Sequence, residues 1–220
     1  MGMRHSVMQP TTLRFFFDYL SPYSYLAWTQ VVGFTEKHGL ELQPQAVLLA
    51  AFLNHHGHKG PGEIPPKRRY AYKDCVRRAA VLGVPINPPA VHPFNPLLPL
   101  RVSVLEMDAP TRIELISRLY AAAWVESRDV SDTAVVAEIC DAVGVPDAVA
   151  RTREPDIKRR LLDVGTEAIA RGAFGVPTML VGDEVFWGED SFGHIAQYLR
   201  GEDPAANVDA WDAIPVGAQR

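Results

Sequence analysis

The chain has 220 residues, 47% of them apolar and 22% charged, with a formal net charge of −4. That is an ordinary globular mixture, long enough for one domain of moderate size or one domain with a large insertion. The near-neutral balance, with Lys67-Arg68-Arg69 as the densest basic run, argues against a nucleic-acid partner, and no segment approaches the roughly 20 apolar residues of a membrane span.

Met1 to Thr12 is polar and lacks an apolar signal core, so no secretory leader is expected and the default location is cytoplasmic. Leu13 to Asp18 (LRFFFD) is an apolar and aromatic run that reads as a buried strand. Ser21-Pro22 follows at once, a serine N-cap with proline in the first helical position. Tyr23, Leu26, Ala27, Val31 and Phe34 then recur at helical spacing until Gly39 closes the helix. Glu41 to Val47 is a second strand, and Pro44 within it points to the edge of a sheet. Strand, helix, strand make a right-handed unit with parallel strands.

Residues 54–66 are rich in Gly, His and Pro and read as a loop. Helices are predicted over Arg68 to Leu82, Thr111 to Val125, Ser131 to Val143 and Asp156 to Arg171, with a proline-punctuated connection from Pro85 to Pro99. Strands return at Thr178 to Val181 and Val185 to Trp187, flanking a Gly182-Asp183-Glu184 turn. Asp190 and Ser191 are placed to cap a last helix reaching about Leu199. The sum is βαβ, a helical block, then ββα. This suggests a thioredoxin-like sheet assembled from residues 13–53 and 172–200, with a helical insertion over 66–171 and flexible extensions at 1–12 and 201–220.

Cys75 and Cys140 share no metal or redox spacing and read as small core residues. His55, His56 and His58 lack the spacing of a known metal site, and His92 is expected to pack within the proline-rich connection. A dithiol oxidoreductase needs Cys-x-x-Cys at the helix start, and Ser21-Pro22-Tyr23-Ser24 holds serine at both positions.

Three stretches carry possible chemistry. Ser21 stands where a helix N-terminus offers unpaired N–H groups and partial positive charge, a setting that stabilises a thiolate, although a serine there also serves as a plain cap. Val176-Pro177 precedes a strand and is a candidate cis bond that would turn the Val176 N–H and C=O toward an extended peptide. Asp190 and Ser191 could hold an ammonium and a carboxylate as well as cap.

The run Phe17-Asp18-Tyr19-Leu20-Ser21-Pro22-Tyr23-Ser24-Tyr25-Leu26-Ala27 resembles the N-terminal signature of 2-hydroxychromene-2-carboxylate isomerases, which kappa-class glutathione transferases share. Gly57 to Tyr70, His92 to Pro96, Gly172 to Thr178 and Phe186 to Asp190 match in the same order, so the resemblance spans about residues 13–200. It implies a DsbA-like thioredoxin fold interrupted by helices, glutathione as cofactor and a homodimer. It also implies site roles: Ser21 on the glutathione sulfur, Val176 and Pro177 along its cysteinyl backbone, and Asp190 and Ser191 at its γ-glutamyl end.

His58 stands where the family usually has asparagine, near the glycyl end, and Ser191 stands where arginine is common. The implied reaction interconverts 2-hydroxychromene-2-carboxylate and trans-o-hydroxybenzylidenepyruvate in aromatic degradation, with the thiol of glutathione added and released again. Tyr23, Phe52 and Trp187 are candidate walls for a flat aromatic substrate. A kappa-like transferase acting on another electrophile and a non-catalytic thioredoxin-like binding module are the alternatives.

Overall fold

A computed structural model describes residues 11–205. Of the two extensions expected at the ends, residues 1–10 and 206–220 lie outside the described residues, and Thr12 already belongs to the first strand.

The four-stranded sheet has the order β2-β1-β3-β4. Strand β1 (Thr12–Phe17) runs parallel to β2 (Glu41–Ala46) and antiparallel to β3 (Thr178–Val181), which pairs antiparallel with β4 (Glu184–Trp187). Helix α1 (Pro22–His38) connects β1 to β2; Ser21 caps it and Gly39, at φ 66°, ends it in the left-handed region that glycine adopts without penalty. The β3–β4 turn needs a positive φ at its first residue, and Gly182 supplies it at 63°.

Alternation along β1 sorts its side chains onto two faces. Leu13, Phe15 and Phe17 enter the larger core with Trp28 and Val31 of α1, Met179 and Val181 of β3, and Phe192 and Ile195 of α9 (Phe192–Leu199). Phe16 and Leu180 enter a smaller core on the opposite face, beneath Phe52 of α2 (Leu49–His55) and Ala168 of α8 (Pro155–Ala170). Helices α3 (Pro65–Leu82), α4 (Leu97–Ser103), α5 (Ala109–Trp124), α6 (Thr133–Ala142) and α7 (Ala148–Arg151) lie between α2 and α8 in the chain. Tyr19, Tyr120 and Trp124 meet at their junction with the sheet, where the Tyr19 and Tyr120 rings approach to 4.7 Å between centroids.

Pro44 occupies β2 as expected, and β2 is an edge strand. The N–H groups of Glu41 and Val47 donate to Thr11 and Phe17 carbonyls, so odd-numbered residues face β1 and residue 44 faces outward. Proline there costs the ladder no hydrogen bond.

Three expectations change. The supposed loop over 54–66 contains the end of α2 and a 3-10 turn at Pro61–Glu63. Helix α3 starts three residues earlier than expected, with prolines in its first two positions, where no N–H is needed. The proline-rich connection gives way to α4 at Leu97; Pro99 is tolerated because it falls within the first turn.

Cys75 on α3 and Cys140 on α6 are buried and free. Burial pushes the Cys75 thiol up to about 12 and the Cys140 thiol to about 11. Neither is therefore a nucleophile near neutral pH. Ellman's reagent should leave both unmodified in the folded protein and titrate both after denaturation; rapid reaction of either in native buffer would contradict this burial.

Candidate active site

The site is built around the turn from β1 to α1. Residues 18–21 are held both by bonds within the turn and by groups from several other parts of the molecule. The Asp18 carboxylate is fully buried and accepts from the Leu20 N–H at 2.9 Å and from the Leu49 N–H, at the start of α2, at 2.8 Å. The Trp124 indole N–H donates to the Tyr19 carbonyl at 2.8 Å, and the Tyr19 hydroxyl pairs with Ser103 at 2.7 Å. His92 Nε2 lies 2.9 Å from the Leu20 carbonyl, which places the ring proton on that nitrogen. Sheet, α2, the proline-rich connection, α4 and α5 thus converge to fix one short turn.

That turn presents Ser21. Its Oγ accepts from the Ser24 N–H at 3.1 Å, the N-cap bond expected from the sequence. The cap uses the oxygen as acceptor and leaves the hydroxyl proton without a protein partner among the described residues. Pro22 has no N–H, and the Tyr23 N–H remains unpaired, so the positive end of α1 is open beside that hydroxyl.

Ser21 lines a cavity of about 630 Å³. Its lining includes Phe174, Gly175, Val176, Pro177 and Trp187, the segment from His58 to Glu63, and Tyr23, Tyr72, Arg78 and His92. The Val176–Pro177 bond is cis. Neither the N–H nor the C=O of Val176 has a hydrogen-bond partner among the described residues. The Gly188 N–H donates to the Pro177 carbonyl at 3.0 Å and ties the turn after β4 to this edge.

Of the residues singled out from the sequence, Ser21, His58, Val176, Pro177 and Asp190 all line this one cavity, as do Tyr23 and Trp187. Ser191 does not. It holds the N-cap position of α9 as expected, but its hydroxyl donates to the Trp187 carbonyl at 2.7 Å and makes no side-chain cap bond. Phe52 is fully buried in the smaller core and is not a wall of the cavity. His92, expected only to pack, lines the cavity and holds the Ser21 turn; burial lowers its pKa from the ordinary histidine value and so favours the neutral ring.

Sequence reasoning missed the ionic cluster at one end of the cavity. Arg78 of α3 bonds Asp74 through Nε at 2.7 Å, and its Nη1 engages both Glu189 and, at 3.3 Å, Asp190. Asp74 also accepts from the Tyr23 hydroxyl at 3.0 Å, and Gln30 Nε2 donates to the Glu189 carboxylate at 3.3 Å. Asp74 is a local partner one helical turn away, but Glu189 and Asp190 come from a segment more than 100 residues further along the chain, so no local pattern announces the cluster.

Such an arrangement can bind an extended peptide along Val176 and stabilise an anion at Ser21 in a mostly apolar cavity. It offers no disulfide chemistry at this helix start, because the positions carry serine.

Comparison with known proteins places this geometry in a family. A model of the DSBA-like thioredoxin domain matches residues 12–200. A 2-hydroxychromene-2-carboxylate isomerase of Sphingobium xenophagum is 28% identical over 193 residues, 86% of this chain and 97% of that protein. Glutathione S-transferase kappa 1 of Rattus norvegicus is 24% identical over 209 residues, 88% of this chain and 92% of its own. A solved structure of 2-hydroxychromene-2-carboxylate isomerase superposes with a TM-score of 0.79 at 25% identity, covering 90% of this chain and 98% of that one. A probable DsbA oxidoreductase from Streptomyces coelicolor shares the fold at a TM-score of 0.64 and 15% identity, covering 87% and 90% of the two chains. With its mixed sheet, its inserted helices and its match across residues 12–200, the chain belongs to the DSBA-like thioredoxin domain family, alongside relatives that are isomerases and transferases.

Proposed function

We propose that the protein is a glutathione-dependent isomerase that interconverts 2-hydroxychromene-2-carboxylate and trans-o-hydroxybenzylidenepyruvate. The observation that carries the reading is the meeting, in one cavity, of the Ser21 hydroxyl at the open end of α1 with the unpaired backbone of Val176.

The residues present fit the tripeptide. Val176 offers one donor and one acceptor for the cysteinyl backbone, Pro177 shapes that edge, Asp190 offers a carboxylate for the γ-glutamyl ammonium, and His58, which also lines the cavity, is left for the glycyl end. Ser191 supports this end through the Trp187 carbonyl rather than by contact. Glutathione, when bound, supplies a thiol that adds reversibly to the conjugated substrate.

Everything else falls to the chain. Ser21 donates its free proton to the sulfur, and the dipole of α1 favours the same negative charge. Tyr23, Tyr72, Phe174 and Trp187 give aromatic walls against which an aromatic acid can pack. The reading includes a cytoplasmic homodimer in aromatic catabolism, with residues 13–53 and 172–200 as the thioredoxin-like part and 66–171 as the insertion.

The test is spectrophotometric. Purified protein with 2-hydroxychromene-2-carboxylate should change the absorbance only when glutathione is present, and glutathione should be recovered unspent. Consumption of glutathione would replace isomerisation with transfer, and turnover without glutathione would remove the cofactor assignment. Among the described residues no helix is long and apolar enough to cross a membrane.

A further inference from the structure

The turn after β4, Gly188-Glu189-Asp190-Ser191, carries two carboxylates and no cation of its own. Adjacent carboxylates repel, and Glu189 is only 6% exposed, so this turn needs a positive partner to stay charged. Arg78 supplies it from α3, with Asp74 one helical turn away holding Nε.

These bonds occupy Nε and Nη1. Nη2, with two N–H donors, has no hydrogen-bond partner among the described residues, while the side chain is 35% exposed and the residue lines the cavity. The guanidinium also lies 5.8 Å from the centre of the Tyr23 ring, which limits its freedom. A fixed guanidinium with spare donors, touching the exposed carboxylate of Asp190, is complementary to a group carrying ammonium and carboxylate on one carbon.

The geometry points to Arg78 as the residue that takes the α-carboxylate of the γ-glutamyl end of glutathione, beside Asp190, which takes the ammonium. This rests on the glutathione reading above and adds to it the group that selects an α-amino acid terminus. The competing role is purely structural, a clamp between α3 and the turn after β4.

Calorimetric titration of the intact protein separates the two. Glutathione is compared with γ-aminobutyryl-cysteinyl-glycine, which lacks only the α-carboxylate, against wild type and Arg78→Gln. Wild type should bind the truncated peptide about 10- to 100-fold more weakly than glutathione, as expected for a lost charge-assisted pair. Arg78→Gln should lose a similar factor for glutathione and almost nothing for the truncated peptide. Equal losses for both peptides would leave Arg78 a clamp and overturn the assignment. So would a wild type that binds both alike, a comparison that stands even where the variant fails to fold. Failure of wild type to bind glutathione at all would remove the parent reading and this assignment together, an outcome distinct from loss of discrimination alone.

Discussion

Replacing Ser21 by alanine is expected to cut glutathione-dependent turnover about 10- to 100-fold, the equivalent of one to two pKa units on the bound thiol. The hydroxyl has two jobs that alanine removes together. As acceptor it caps α1 through the Ser24 N–H; as donor its proton has no protein partner among the described residues and is free for the sulfur. Loss of the cap alone costs about 1 kcal/mol of stability. A thermal melt records that part, and the ultraviolet absorbance of bound thiolate across a pH series records the other. The expected result is a small drop in melting temperature and a thiolate titration displaced to higher pH. A variant whose bound glutathione ionises as in wild type would reduce Ser21 to a helix cap.

Asp18→Ala carries the largest expected effect on stability, about 2 to 4 kcal/mol, because the Leu20 and Leu49 N–H groups lose their acceptor together. The penalty should depend on pH. Burial lifts the Asp18 carboxyl from 3.8 to about 6, against the opposing pull of the Leu20 and Leu49 N–H bonds. A folded-state value above the unfolded one means that the folded chain binds the proton more tightly. Its stabilising share is complete below the ordinary value and drains away as pH rises through the folded one. Alanine has no such titration, so wild type should exceed the variant by about 1 to 2 kcal/mol more near pH 5 than near pH 8. Denaturant melts at the two pH values give the comparison; a penalty that is flat, or that grows with pH, would contradict the burial of this carboxyl. Activity should fall too, since Asp18 sets both the Ser21 turn and the start of α2, from which Leu49 and Leu53 line the cavity.

Local chemistry explains what was readable beforehand. Ser21-Pro22 and Gly39 bracket α1 to the residue, because capping depends on neighbours in sequence. The glycine at position 182 places the hairpin for the same reason. Proline, used as a stop signal, misled where it sits in a first helical turn; α4 and the beginning of α3 were hidden in this way. Site residues divide along the same line. Ser21, Val176, Pro177 and Asp190 could be picked out within short motifs, and the cavity brings them together. Arg78 could not, since its meaning depends on Glu189 and Asp190 arriving from the far end of the chain. His92 and Asp18 act through backbone groups of the Ser21 turn, contacts that no spacing rule encodes. Phe52 was chosen for residue type alone and is buried in the smaller core, while Ser191 was chosen for its place at a helix start, and its hydroxyl is taken up by the Trp187 carbonyl.

Pro44 has a consequence beyond the ladder it occupies. Its missing N–H lies on the outer margin of the sheet, in the row of donors that a stray strand from another molecule would need. The row is interrupted at its centre, so the open border of β2 is a poor template for runaway strand addition between chains. Substituting Pro44 with threonine would complete that row and should make the protein more prone to clump on heating, while leaving untouched the cavity at Ser21, which Pro44 does not line.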